Sequence, residues 1–261
     1  MAKIQNSSVV KQIIRAYPEM KRKVNKQTPH LEIAEFFRRT IQGEGINIGR
    51  PAAFLRMQHC TQNCIWCDTE EVWRQGNSYT FDEVLSLIES SGLLQDLRRG
   101  DHLILTGGSP LKQQKSLTQF FQLFRHRFGF LPVLEVENEC TLMPDPQFVR
   151  LISVWNNSPK LSNSGNPDFL RYQPEVLRFL SGLENSWFKF VVSEPADWYE
   201  IELDFLAHDL IQRNQIILMP IGGDIEELQD NRVWTAELAI REGVRFTDRL
   251  HVTLWNTLTG V

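Results

Sequence analysis

Cys60, Cys64 and Cys67 place three of the chain's four cysteines in one short stretch, CTQNCIWCDT. Thiolates at C-x3-C-x2-C spacing fit a single loop wrapped around a metal centre. A structural zinc site asks for a fourth ligand. Cys140 and His59 are the candidates, although His59 directly precedes Cys60, which makes chelation by both awkward. A 4Fe–4S cluster usually takes four cysteines. With three, one iron stays open to an exogenous ligand, and that separates a catalyst from an electron carrier or a structural plug. Spacing alone leaves both readings open.

The composition narrows the setting. The chain has 261 residues, 42% of them hydrophobic and 23% charged, with a net charge of -4. That suffices for one sizeable α/β domain, and the acidic balance argues against a dedicated nucleic-acid binder. No apolar run is long enough to span a bilayer, and no signal-peptide core opens the chain. Tightly clustered cysteines read as metal binding in a reducing compartment, with the cytoplasm as the default.

Residues 1–30 differ in character from the rest of the chain. Glu19 stands against Lys21, Arg22, Lys23 and Lys26, which reads as a basic N-terminal extension made of a short helix and a solvated arm. An organelle transit peptide and a docking surface for an acidic partner are the alternatives.

Residues 31–261 then alternate as a single domain. AAFLRMQ reads as a buried strand. Thr80 and Glu83 form a capping box before Phe81, Val84, Leu85 and Ile88, and Gly92 stops that helix. The strands HLILTGG, VLEVE, RLISVW, WFKFVV, QIILMPI and RLHVTLW come after it. Helices KSLTQFFQLFRHRFG, PEVLRFLSGL, ADWYEIELDFLAHDLI and IEELQDNRVWTAELAIREG lie among them. Alternation of this kind means βαβ units and a mostly parallel sheet, with a barrel or a partial (β/α)6-type, TIM-like barrel as the natural closure and a doubly wound open sheet as the alternative. Active-site residues then lie at the carboxyl ends of the strands. The cysteine loop, GGSP, ENECT and SPK each follow one of the first four strands, so all four meet on one face.

At these residues the chain resembles the radical S-adenosylmethionine enzymes: C-x3-C-x2-C with the aromatic Trp66 before the last cysteine, and LTGGSP as a glycine-rich motif. The flanks are more specific and resemble the 7-carboxy-7-deazaguanine synthases. The matching pieces are Glu35 and Phe37, QGEG (Gln42, Gly43, Glu44, Gly45), Gly49, Pro51, Phe54, Arg56 and the WCDT that closes the cluster loop. SPK, WFKFVV and RLHVTLWNTLTGV also match.

The resemblance implies a 4Fe–4S cluster on Cys60, Cys64 and Cys67, with S-adenosylmethionine on the open iron. Trp66, Gly107, Gly108, Ser109, Glu137, Ser158 and Lys160 would bind that cofactor: the glycine motif its amino group, Ser158 and Lys160 its carboxylate end, Glu137 its ribose. Gln42, Gly43, Glu44, Gly45, Arg56, Thr106 and His251 would bind substrate. QGEG suits the alternating donors and acceptors of a flat heterocycle such as a pterin, and Arg56 can pair bidentately with a carboxylate. Outside the resemblance, Arg56 reads equally as a strand-end salt bridge. Asp68 and Thr69 offer hard oxygens of the kind Mg2+ takes, and the family assigns the metal to Thr69; as a bare sequence they read as a turn or helix cap.

The implied reaction is reductive cleavage of S-adenosylmethionine to a 5′-deoxyadenosyl radical. Hydrogen abstraction from C6 of 6-carboxy-5,6,7,8-tetrahydropterin comes next, then a Mg2+-assisted ring contraction with loss of ammonia. S-adenosylmethionine is regenerated. The enzyme would be a carbon–nitrogen lyase, a homodimer reduced by a flavodoxin-like partner. A glycyl-radical activase and a zinc-binding module are the rival readings. Two departures stand out. The family's GGEP is GGSP here, which removes a negative charge near the cofactor's ammonium. Its E-T-N-G-T is ENECT, with Cys140 in place of glycine and an added acid, Glu139.

Overall fold

Thr80 begins the helix Phe81–Ser91 by accepting from Glu83 N at 3.3 Å, while Glu83 Oε2 accepts from Thr80 N at 2.8 Å. Two otherwise unpaired N–H groups are satisfied reciprocally. Gly92, at φ 81°, closes the helix in the left-handed region that glycine enters without a steric cost. The apolar side, Phe81, Val84, Leu85 and Ile88, is buried.

This helix packs against a mixed sheet in a computed structural model that describes residues 11–15, 24–25, 27–258 and 260. The strands are β1 (Gln12–Ile14), β2 (His30–Ile41), β3 (Pro51–Met57), β4 (Asn77–Thr80), β5 (His102–Gly107), β6 (Leu134–Asn138), β7 (Val154–Asn157), β8 (Ser186–Val192), β9 (Ile216–Pro220) and β10 (Arg245–Phe246). They pair in the order β1-β2-β3-β5-β6-β7-β8-β9-β10, with β4 on β2. From β3 to β10 every pairing is parallel; β1, β3 and β4 pair antiparallel with β2. The path runs open from β1 to β10. Six parallel strands, β3 and β5 to β9, thus follow one another with the two-residue β10 at the edge, as the partial-barrel expectation has it. Phe120, Phe121, Phe124, Phe148, Phe188, Phe190 and Phe205 fill the layer between sheet and helices without solvent exposure. Burying each such ring contributes about 2–3 kcal/mol.

Elements that bear on the site depart from the sequence expectation. RLHVTLW alternates like a strand, but Leu250–Trp255 is a helix. Gly43 O accepts from Leu250 N at 2.8 Å, and of the apolar positions only Val252 is buried. RLISVW is a strand only from Val154; Pro146–Val149 forms a helical turn capped by Asp145, whose side chain accepts from Gln147 N. The shift draws Asn156 and Asn157 out of the expected turn and into β7. ADWYEIELDFLAHDLI holds one α-helical turn, Asp197–Glu200, that runs on as the π-helical segment Ile201–Leu206. The long β2 escapes the sequence pattern, because Glu35 and Arg38 are buried among its apolar residues. Arg38 is neutralised by Asp96 and Glu35 by Arg56.

Part of the N-terminal extension is in the sheet, since Gln12–Ile14 pairs with Phe36 and Phe37. Glu19, Lys21, Arg22, Lys23 and Lys26 lie outside the described residues.

Candidate active site

The carboxyl ends of the parallel strands open onto one cavity of about 670 Å3, a volume suited to a small organic ligand. Parallel pairing brings this about, because every βα connection leaves from the same edge. Cys60, Cys64, Cys67, Trp66 and Thr69 line the cavity after β3. Thr106, Gly107 and Gly108 line it from β5, Glu137 and Glu139 from β6, Ser158 and Lys160 after β7, and Lys189 from β8. Gln42, Gly43, Glu44, Arg56 and His251 complete the wall.

Each cysteine sulfur receives an N–H donor: Gln62 N to Cys60 Sγ at 3.4 Å, Asn166 Nδ2 to Cys64 Sγ at 3.2 Å and Trp73 Nε1 to Cys67 Sγ at 3.5 Å. Burial pushes the Cys60 and Cys64 thiols up, against the pull of Lys160. The loop is laced to the glycine motif. Ser109 N donates to His59 O at 2.7 Å, and Ser109 Oγ accepts from Thr61 N at 2.9 Å. Gly108 lies so close that a Cβ there would overlap His59 O and Cys60 N. The second glycine of GGSP therefore has a packing reason of its own.

The same cavity wall carries an ionic network built on a buried cation. Lys189 Nζ donates to Glu44 Oε2 at 2.8 Å and to Glu137 Oε2 at 2.9 Å. Gln42 Nε2 donates to Glu137 Oε1 at 2.9 Å and to Glu135 Oε1 at 2.7 Å, and Asn156 Nδ2 reaches the same two oxygens. Burial alone would raise Glu44, but Lys189, Arg249 and His251 hold it well below the usual carboxylate range. Glu137 is pushed up by burial and by the nearby Glu44 and Glu135 charges, despite Lys189. Burial would lower Lys189, yet Glu137 and Glu44 hold it above its ordinary value. Arg249 pairs with Asp68, which burial raises and Arg249 more than offsets, so Asp68 stays ionised. His251, on the last helix, is pulled down chiefly by burial. A Cβ on Gly43 would overlap the His251 ring, so this glycine is what lets the helix approach the QGEG loop.

The chain resembles known proteins over almost its full length. A family described as a 4Fe-4S single cluster domain matches residues 41–136. The 7-carboxy-7-deazaguanine synthase of Pyrobaculum aerophilum is 34% identical over 238 residues, covering 89% of this chain and 98% of the relative. The chain belongs to the 7-carboxy-7-deazaguanine synthase family. The synthase of Halobacterium salinarum is 30% identical over 250 residues, covering 87% of this chain and 91% of that one. The fold is also that of QueE from Escherichia coli, whose crystal structure aligns with a TM-score of 0.60 and 21% identity, covering 85% of this chain and 95% of that one.

The residues of this 7-carboxy-7-deazaguanine synthase family member fit a cubane cluster. Three thiols face one cavity, each with a donor that suits a charged sulfur. Among the described residues no three His, Cys, Asp or Glu side chains close on a single metal ion, and a cubane does not ask them to, because its cysteines sit on separate irons. Cys140 is fully buried in the apolar core, its thiol donating to Asn138 O at 3.6 Å. His59 Nε2 instead faces Glu32 at 3.2 Å. Neither expected fourth zinc ligand joins the three cysteines on the cavity wall. Thr69 starts the short helix Glu70–Trp73 without capping it through its side chain, which leaves its hydroxyl uncommitted to that role.

Several contacts differ from the expectation. Ser109 is fully buried and absent from the cavity wall. Gly45 also sits behind the wall, its N–H donating to Thr247 Oγ1 at 2.9 Å. Glu137 has both oxygens engaged by protein donors. Arg56 gives its Nε to Glu35 at 2.8 Å, the strand-end pair the bare sequence allows, yet the residue still lines the cavity. Lys160 Nζ donates to Ser158 O and Oγ and stands 5.7 Å from the Trp66 ring centroid. That ring is fixed in turn by its N–H donating to Asn163 O at 3.1 Å.

Sequence reasoning missed Lys189, Arg249, Asn156 and Asn166. Lys189 carried a usable signal, since a lysine inside the apolar run WFKFVV must be paired if the strand is buried. Asn166 accepts from Asn63 N at 2.9 Å and donates to Cys64. It lies 102 residues from that cysteine, in a stretch that reads only as a polar turn.

Proposed function

We propose that the chain is a carbon–nitrogen lyase of the radical S-adenosylmethionine class. It would convert 6-carboxy-5,6,7,8-tetrahydropterin to 7-carboxy-7-deazaguanine with loss of ammonia. The observation that carries this is the meeting, in one cavity, of the three-cysteine loop, the Gly107–Gly108 backbone and the Glu44–Lys189–Glu137 network. When bound, the cluster and S-adenosylmethionine supply a one-electron route to a hydrogen-abstracting radical.

The chain's own residues do the positioning. Cys60, Cys64 and Cys67 hold the cluster. Gly107 and Gly108 offer carbonyl groups, and Lys160 with Ser158 a cation and a hydroxyl, to the amino-acid end of the cofactor. Trp66 forms the wall beneath Lys160. Arg56, steadied by Glu35, is the partner for the substrate carboxylate. Glu44, Thr106 and His251 face the pterin edge, with Lys189 keeping Glu44 ionised as an acceptor. Gln42 orients Glu137. Thr69 is the Mg2+ ligand, and Asp68, fixed by Arg249, shapes that side of the site. A flavodoxin-like electron donor, a homodimer and a cytoplasmic setting belong to the same proposal, with residues 31–261 as its catalytic domain.

Anaerobic incubation of the cluster-loaded chain with reductant, S-adenosylmethionine, Mg2+ and the carboxylated tetrahydropterin tests the reading. Appearance of the deazaguanine supports it, and a cluster-replete protein that makes none overturns it.

A further inference from the structure

The cavity wall carries a carboxylate to which the proposed mechanism gives no role. Glu139, just after β6, is 6% exposed. Its Oε1 accepts from Thr61 Oγ1 at 2.9 Å and from Thr141 Oγ1 at 2.8 Å. Its Oε2 is buried with no hydrogen-bond partner. Among the described residues no cationic side chain forms an ion pair with it. A desolvated carboxylate with hydroxyls on one oxygen and nothing on the other is incomplete, and Glu139 belongs to the wall of the cavity.

The position of Glu139 says which cation completes it. The side chain of Ser109, where the family's motif carries glutamate, is fully buried against Thr61 and Cys60 and does not line the cavity. Thr61 Oγ1 lies 3.1 Å from Ser109 Oγ and also contacts Glu139. The carboxylate on the next strand is therefore one threonine away from the glycine motif. Glu139, Lys160 and Cys60 line the same cavity. An anion and a cation thus share the wall with the cluster loop, which is the complement of a zwitterionic amino-acid group.

We propose that Glu139 accepts the α-ammonium of S-adenosylmethionine, supplying from β6 the charge that the GGSP loop lacks. The assignment rests on the radical S-adenosylmethionine reading of the site. The backbone after Glu139 is consistent with a fixed placement. Cys140 holds φ 65°, a left-handed conformation uncommon outside glycine, with its N–H donating to Asn138 Oδ1 at 3.3 Å.

The test is anaerobic equilibrium binding to the full, cluster-loaded chain with two probes, S-adenosylmethionine and 5′-methylthioadenosine, which lacks the amino-acid end. Glu139→Gln keeps the shape and an acceptor for Thr61 and Thr141 but removes the charge. It should weaken S-adenosylmethionine by about tenfold or more, the size of a lost charge-assisted hydrogen bond, and leave 5′-methylthioadenosine within about twofold. Glu139→Asp, which keeps the charge, should bind S-adenosylmethionine better than Glu139→Gln. Equal S-adenosylmethionine affinity in wild type and Glu139→Gln overturns the Glu139 assignment alone. So does an equal loss for both probes, which marks a merely structural role. A cluster-loaded wild-type chain that binds neither probe overturns the underlying reading as well.

Discussion

Lys189 Nζ donates to Glu44 Oε2 across 2.8 Å, joining β8 to the QGEG loop over 145 residues of sequence. The same ammonium holds Glu137 on β6. One cation thus ties three separate parts of the cavity wall together. Replacing it, as in Lys189→Met, leaves two half-buried carboxylates without their buried cation. Unfolding by urea should show a loss of about 2–3 kcal/mol, less than the cost of breaking a fully buried pair because both carboxylates keep some contact with solvent. A loss below about 1 kcal/mol would mean the network is solvated.

The same pair sets a pH dependence. Glu44 is held below its unfolded value of about 4.3 by its cationic neighbours. Its contribution is therefore present above that pH and is lost as the pH falls through the depressed folded value. Urea midpoints of the wild type should drop as the pH is lowered from about 4. The Lys189→Met variant should show a shallower decline, and parallel curves would contradict the assignment.

Gly108→Ala probes the lacing of the two loops. The new methyl overlaps His59 O and Cys60 N, both backbone atoms, so the cysteine loop must shift. Overpacking of this kind costs about 1–3 kcal/mol. Iron and sulfide content after reconstitution should fall with it, and a variant that loads iron normally would show that the loops move independently.

The four cysteines should separate cleanly. Cys64→Ala should abolish the visible absorption of the reconstituted protein. Cys140→Ala, which removes a fully buried thiol that does not line the cavity, should keep full iron content. It should also cost no more than about 1–2 kcal/mol of stability for the small cavity left behind. Loss of iron in the second variant would place Cys140 among the ligands.

The chain's periodicity carried the parallel strands and the long helices, because burial on the sheet enforces apolar runs and Thr80, Gly92 and Gly129 mark helix ends locally. It failed where tertiary partners override local pattern. β2 carries buried charges whose partners, Arg56 and Asp96, lie elsewhere in the chain. Leu250–Trp255 alternates like a strand, yet it is anchored as a helix by Gly43 O and by Arg249, which reaches Gly222 O and Asp68. The cluster loop was legible because its ligands are adjacent. The Glu44–Lys189–Glu137 network was only half legible, since a lysine in a strand announces a partner without naming it. Ser109 was misplaced for a related reason: sequence puts it in the motif, but Thr61 draws its side chain behind the wall.

Mass spectrometry of the anaerobic reaction of the cluster-loaded chain with 6-carboxy-5,6,7,8-tetrahydropterin tests the central claim most directly. The account predicts 7-carboxy-7-deazaguanine and ammonia in equal amounts, with S-adenosylmethionine returned unconsumed, and neither product from Cys64→Ala. Unchanged pterin in the presence of a fully loaded, reducible cluster and Mg2+ would contradict it.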